Sequence, residues 1–210
     1  MSRAVITYHD VEQGSEQWIR DREGKYTGSN AHKLLGNIGI LEYAKAEDSG
    51  FTGNFHTKRG HLLEPKALAI YEKVRDVVVQ HTGYITNSLF PNCLYSPDGY
   101  TDDVIQEVKC FSKKRHLEIW NAKSWLEIDI KITAQIHYGM LITGRRLAHL
   151  VIYNPHFAKK EFEDENGFKM DNPDYDPKKA FKIIPIRYDK TIADNFKKKL
   201  GGSYAETVLG

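Results

Sequence analysis

Cysteine is nearly absent from this 210-residue chain. The two that occur, Cys93 and Cys110, stand apart and form no C-x-x-C pair. That spacing argues against a zinc site and leaves reduced thiols in a cytoplasmic protein as the expectation. Also lacking is any apolar run near the ~18 residues of a membrane span. The first residues, MSRAVITYHD, show no basic-then-apolar signal pattern, so export is not expected. Without a G-x-G-x-x-G or Walker loop, a nucleotide cofactor has no support, and the histidines include no H-E-x-x-H pair. There is no repeat, low-complexity tract or Pro/Gly-rich linker, so one domain over 1–210 is expected. Net charge is only +2, too little by itself to announce a nucleic-acid binder.

What is present is the composition of a soluble globular protein, 40% hydrophobic and 28% charged. The charges are uneven. Basic clusters stand at Lys113–Lys114–Arg115, Lys159–Lys160 and Lys197–Lys198–Lys199, and Glu161–Asp176 is strongly acidic. Each is read as a solvated face, except the first, which follows the most chemically loaded stretch of the chain.

Periodicity and punctuation predict the elements. Ser15 caps a short helix to Arg22 with Trp18 and Ile19 inward, and Ser29 caps a second that Gly36 ends. Residues 37–57 read as a long irregular loop. Arg59 to Arg75 has apolar residues at 63, 67, 68, 70, 71 and 74, the spacing of an amphipathic helix. VVVQHTGYI reads as a strand, and LFPNCLYSPDG with VIQEVKCF as a hairpin joined around Gly99–Asp103. Helices follow near Lys114–Asn121 and Ile128–Gly144, then strands RLAHLVIYNP and FKIIPIRYD, the second an edge strand because of Pro185, then a closing helix Lys190–Leu200. DENGFKMDNPDYD lacks the order of a calcium loop and reads as a surface excursion. The order implies an α/β fold, a central mixed β-sheet flanked by helices, rather than a doubly wound one.

The stretch SPDGYTDDVIQEVKC, Ser96 to Cys110, carries the chemistry. Strand alternation puts Glu107 and Lys109 on one face, and the hairpin would bring Asp98 back towards Glu107. Two carboxylates so close repel unless a cation sits between them, and oxygen donors with open positions suit Mg2+, with Mn2+ as a substitute. A lysine beside them can orient or help deprotonate a metal-bound water for attack on a phosphodiester. The spacing P-D-x8-E-x-K matches this, yet a hairpin with a polar tip fits the same residues; Asp102 and Asp103 are read as turn.

Four segments in order settle more than any one alone: QGSEQWIRDREGKYTGSNAHKLLG, RGHLLEPKALAIYE, SPDGYTDDVIQEVKC and AQIHYGMLITGRRLAHLVIYNP. From Gln13 to Pro155 the chain resembles the bacteriophage lambda-type exonucleases, the YqaJ-like viral recombinases of the PD-(D/E)xK nuclease superfamily. The resemblance implies a restriction-endonuclease-like core and two-metal-ion hydrolysis. Asp98, Glu107 and the Val108 carbonyl would hold Mg2+, Glu64 would approach the second ion, Lys109 would assist the water and Gln135 would line the site. The family often has Q-x-Q where this chain has Gln135 and His137. Arg22, Ser29 and Ser96 match a pocket for the 5′-phosphate of a DNA end. The implied activity is 5′-to-3′ degradation of one strand of double-stranded DNA to leave a 3′ overhang. The implied setting is a phage or prophage, with a homotrimeric ring and a single-strand annealing protein as partner. The alternatives are a site-specific or structure-specific endonuclease of the superfamily, or a non-catalytic DNA-end-binding scaffold.

Overall fold

The computed structural model describes residues 4–35, 55–163 and 167–201. In chain order the elements are β1 (Ile6–His9), α1 (Glu16–Arg22), α2 (Ala31–Leu35), α3 (Phe55–Arg75), β2 (Tyr84–Asn87), β3 (Leu94–Tyr95), β4 (Gly99–Tyr100) and β5 (Val104–Lys109). They continue with α4 (Lys113–Asn121), α5 (Ile130–Thr143), β6 (Leu147–Tyr153), β7 (Glu161–Glu163), β8 (Lys169–Asp171), β9 (Phe181–Arg187) and α6 (Lys190–Leu200). Four strands form a mixed sheet in the order β4-β5-β6-β9, with β5 and β6 parallel and the outer pairs antiparallel. A second antiparallel sheet has the order β1-β2-β3, and β7 pairs with β8 in a separate ribbon.

Residue type explains the central layers. β6 reads LAHLVIY, almost continuously apolar, and is buried on both faces as a central strand must be. β9 lies at the edge, where Pro185, which has no N–H to give, costs no ladder bond inside the sheet. α5 is apolar nearly all round and correspondingly buried. Asp129 caps its start by accepting from the Lys131 N–H at 2.8 Å, and Gly144, at φ 72°, ends it in the left-handed conformation that glycine adopts without strain.

The sheet separates two apolar clusters. Ile105, Ala148, Leu150 and Ile152 join the larger one beneath α5, while Val108 and Val151 join Ala67, Leu68 and Tyr71 of α3 on the other face. Glu107 and Lys109 share the parity of Ile105 and so belong to the α5 side, which is where strand alternation sets their chemistry.

Several expected elements are displaced. Ser29 does not stand before the turn: Thr27 precedes a 3-10 turn, Gly28–Asn30, and Ser29 lies within it. Of the helix-facing pair, Ile19 is 51% exposed and only Trp18 is partly covered. The strand predicted over VVVQHTGYI forms only from Tyr84. Val78 is 80% exposed, and the preceding run contributes a lone bridge, Gln80 to Tyr100. β1 had no counterpart in the sequence reading. α3 begins at Phe55 rather than Arg59. Of its expected apolar face Ala67, Leu68 and Tyr71 are buried, while Val74 is 60% exposed. The acidic excursion contains the exposed β7–β8 ribbon. Most of the 37–57 loop, and Gly36 with it, lies outside the described residues.

Candidate active site

The expected hairpin breaks where the chemistry begins. β3 pairs with β2 in one sheet and β4 with β5 in the other, so the chain changes sheets across Ser96-Pro97-Asp98. The β4–β5 ladder stops at Gly99 opposite Gln106; Pro97 has no N–H with which to continue it. The Val108 N–H, left without a partner strand, donates instead to Asp98 Oδ2 at 2.6 Å. A strand residue presents its N–H and C=O to the same edge, so the Val108 carbonyl also faces the side where Asp98 stands. A local ladder defect thereby gathers a carboxylate and a carbonyl oxygen at the end of β5.

Glu107 is fully buried, and both its oxygens are engaged. Lys109 Nζ donates to Oε1 at 2.7 Å, and the phenol of Tyr95 donates to Oε2 at 2.9 Å. Gln135 Oε1, from α5, accepts a long 3.5 Å bond from the same Lys109 ammonium. Burial alone would lower the pKa of Lys109, but the charges of Glu107 and Asp98 outweigh it and hold it above its ordinary value. Lys109 is therefore a cation at neutral pH, suited to donating rather than to abstracting a proton. Burial, reinforced by the Glu107 charge, pushes the Tyr95 phenol well up, so it stays a donor. Its ring is enclosed by α5 and the turn before α2: a Cβ at Gly139 would sit 2.4 Å from it and one at Gly28 2.9 Å.

Glu64 on α3 and Asp98 line one cleft of about 670 Å3 together with Gln13, Trp18, His61, His81 and neighbouring backbone. Pro65 lies inside α3, so the His61 carbonyl one turn earlier is freed from its helical bond. Burial raises the pKa of Glu64, as does the charge of Glu107. Burial and the charges of Glu107 and Glu64 lift Asp98 well above the usual carboxylate range. Among the described residues no three His, Cys, Asp or Glu side chains converge on a single ligating point. Even so, carboxylates lifted by burial and by one another, beside a free carbonyl edge, form a hard-oxygen donor set that a divalent cation relieves. The residues fit such an ion.

The second group assembles next door. Arg22 Nη2 donates to Ser29 Oγ at 3.2 Å, and the guanidinium stacks 4.1 Å from the centre of the Trp18 ring. Trp18 Nε1 in turn donates to Ser96 Oγ at 3.2 Å and to the Gly83 carbonyl. Residues expected to act together but distant in sequence, Arg22, Ser29 and Ser96, are thus joined through one indole. His137 goes elsewhere. Two residues beyond Gln135 it has rotated about 200° around the helix axis, and it packs fully buried against Trp125. Sequence reading missed Tyr95, Trp18, Gln13, His61 and His81. Gln13 was detectable only as a polar residue near a cap, yet its amide ties Thr82 O to Pro97 O and so holds the S-P-D turn.

This fold is found in exonucleases whose structures are solved. The chain superposes on an alkaline exonuclease (LHK-Exo) from Laribacter hongkongensis with a TM-score of 0.67, at 21% identity over 91% of this chain and 92% of that one. That protein has also been solved in complex with dAMP. A phage related exonuclease from Haemophilus somnus 129PT superposes with a TM-score of 0.60, at 14% identity over 84% and 90% of the two chains. At such identities the likeness concerns the fold. No match was found among curated proteins. Residues 17–146 match the YqaJ-like viral recombinase domain, and the chain belongs to that family.

Proposed function

We propose that this protein is a Mg2+-dependent exonuclease of the PD-(D/E)xK type, formed as one domain over 1–210. It degrades the 5′-phosphorylated strand of double-stranded DNA ends in the 5′-to-3′ direction and leaves a 3′ single-stranded tail. One observation carries the reading: Trp18 lines the same cleft as Glu64 and Asp98 and is in contact with Arg22 and Ser96 of the Arg22–Ser29–Ser96 group. Membership of a viral recombinase family, and the exonuclease names of the solved structures of similar fold, support it.

In this reading Asp98, Glu107, the Val108 carbonyl and Glu64 would hold the metal. When bound, Mg2+ (or Mn2+) neutralises these carboxylates, polarises the phosphodiester and makes hydroxide accessible near neutral pH. The chain's own groups do the rest. Lys109, a permanent cation anchored on Glu107, donates to the attacking water and to the charge that develops on the phosphate. Gln135 limits where that ammonium can swing. Arg22, with a planar fork suited to phosphate, grips the terminal 5′-phosphate together with the Ser29 and Ser96 hydroxyls. The end is thereby fixed relative to the carboxylates, which sets direction. The reading extends to a homotrimeric ring threaded by duplex and to an annealing protein that receives the 3′ tail for recombination.

The test compares linear duplexes bearing 5′-phosphate or 5′-hydroxyl with covalently closed circles, in Mg2+ and in chelator. Mg2+-dependent shortening of the linear DNA, faster with 5′-phosphate, is expected, with circles left intact. Asp98→Ala should still bind the duplex but not hydrolyse it. Cutting of the circles would move the assignment to an endonuclease, and no hydrolysis of any substrate would leave a binding scaffold.

A further inference from the structure

A second cleft, of about 560 Å3, is lined by Arg59, Ser112, Lys113, His156, Lys159 and Phe162 among others. Arg59 and Glu64 lie five residues apart on α3, about 7.5 Å along the axis, which is the rise of roughly two base pairs. Five of the eight residues that line this cleft lie beyond the family-matched segment.

Its electrostatics are unbalanced. α4 starts with Lys113, Lys114 and Arg115, has no acidic residue in its first turn, and receives no side-chain cap from Ser112. Cations at the positive end of a helix dipole, over uncapped N–H groups, are locally unfavourable and call for an anion. Arg115 is already paired with Glu118 and Asp129, and at Lys113 a single further carboxylate oxygen meets part of the demand. Asp174 Oδ2 accepts from Lys113 Nζ at 2.7 Å and from His156 Nε2 at 2.9 Å. Lys159 has no side-chain partner among the described residues. Arg59 is committed to the Cys110 and Phe111 carbonyls and to Asn154 Oδ1, so it rigidifies the floor and adds charge without being free to leave.

We infer that this cleft is a subsite for a backbone phosphate of the DNA duplex, held by Lys113, Lys159 and His156 at the α4 N-terminus, with Asp174 as the internal anion that such a phosphate displaces. The inference rests on the nuclease reading above for its substrate. A phosphate oxygen meets the same donors as the Asp174 carboxylate and adds charge that the uncapped first turn favours. Phe162 offers an apolar wall, and its side chain lies against the His156 ring with centroids 6.4 Å apart.

The test measures binding of a 5′-phosphorylated duplex of about 20 base pairs, long enough to pass both clefts, across a salt series in Ca2+. Turnover of thymidine 5′-p-nitrophenyl phosphate, too short to reach the second cleft, is followed in parallel. The double variant Lys113→Ala with Lys159→Ala should bind the duplex about tenfold more weakly, and its slope of log K against log salt should shrink by about one, the loss of one phosphate contact. Turnover of the small ester should not change. Asp174→Asn should shift affinity the other way, tightening the duplex a few-fold. Unchanged affinity and slope in the double variant overturns the subsite and leaves the cleft to an acidic protein. Weaker binding by Asp174→Asn overturns it as well. If wild type fails to hydrolyse the small ester or DNA, it is the nuclease reading that falls, while the salt slopes still decide the subsite.

Discussion

At Tyr95 a fully buried phenol gives its hydrogen to a fully buried carboxylate. Removing only that oxygen, in Tyr95→Phe, keeps the ring between Gly28 and Gly139 and strands Glu107 Oε2 without its donor. An orphaned buried acceptor costs about 1–3 kcal/mol, and Glu107 would be free to turn about its last torsion. The expected outcome is a lower melting temperature together with a higher Mg2+ concentration for half-maximal hydrolysis. A Mg2+ titration that superposes on wild type would show that Tyr95 merely packs. This residue was illegible because a tyrosine before S-P-D looks like any core aromatic. Asp98, Glu107 and Lys109 were legible since their grouping depends on strand alternation across a dozen positions. Gln135, Glu64 and Arg22 rested on resemblance alone, for no local rule points a helix polar residue at a strand far along the chain.

Among the elements, α5 decides how the site closes. Its Gly139 meets the Tyr95 ring so closely that an added Cβ would lie 2.4 Å from ring carbons in a region with no open space. Gly139→Ala removes a helix-interior glycine, which by propensity alone would stabilise by about 1 kcal/mol. Overpacking costs about 1–3 kcal/mol and wins. The measurements are thermal unfolding and hydrolysis: both should drop, since the displaced ring carries the donor of Glu107. A gain in melting temperature would mean that the ring moves aside freely. The displaced predictions share one cause. Val77–Val79 has the composition of a strand, but a strand needs a neighbour, and only Gln80 finds one, in Tyr100. β1 exists because β2 offers it an edge, a fact no local pattern contains. Pro185, by contrast, announced its edge position because a missing N–H is a property of the residue itself.

For the molecule as a whole, acid tolerance should be set by histidines the sequence left unassigned. His149, on β6, bonds Tyr71 OH at 2.7 Å, and burial, helped by the Arg75 charge, lowers its pKa from 6.5 to about 4. Burial likewise lowers His116 and His137. A histidine depressed in the fold binds its proton more readily when unfolded, so its contribution is intact above pH 6.5 and is lost as pH falls towards 4. For His149 this amounts to about 3 kcal/mol. Asp98 and Glu64, raised in the fold, oppose it, and the difference between wild type and His149→Gln isolates the histidine. Chemical denaturation at pH 7, 5.5 and 4 should show the two curves converging on acidification. A constant separation would place no titration at His149.

Sequence by itself determined the composition of the layers, the Ser15 cap of α1, the closing helix Lys190–Leu200, and the short-range grouping of Asp98 with Glu107 and Lys109. Each of these follows from periodicity or from the chemistry of single residues over a few positions. The tertiary structure alone decided that Pro97 ends one ladder so that Asp98 can take the Val108 N–H. It also decided that Trp18 joins Arg22 to Ser96 and that Tyr95 reaches Glu107. These contacts depend on which strand lies beside which and on how closely α5 approaches the sheet. Sheet pairing and helix packing are settled by the burial of the whole chain, so no window of sequence contains them.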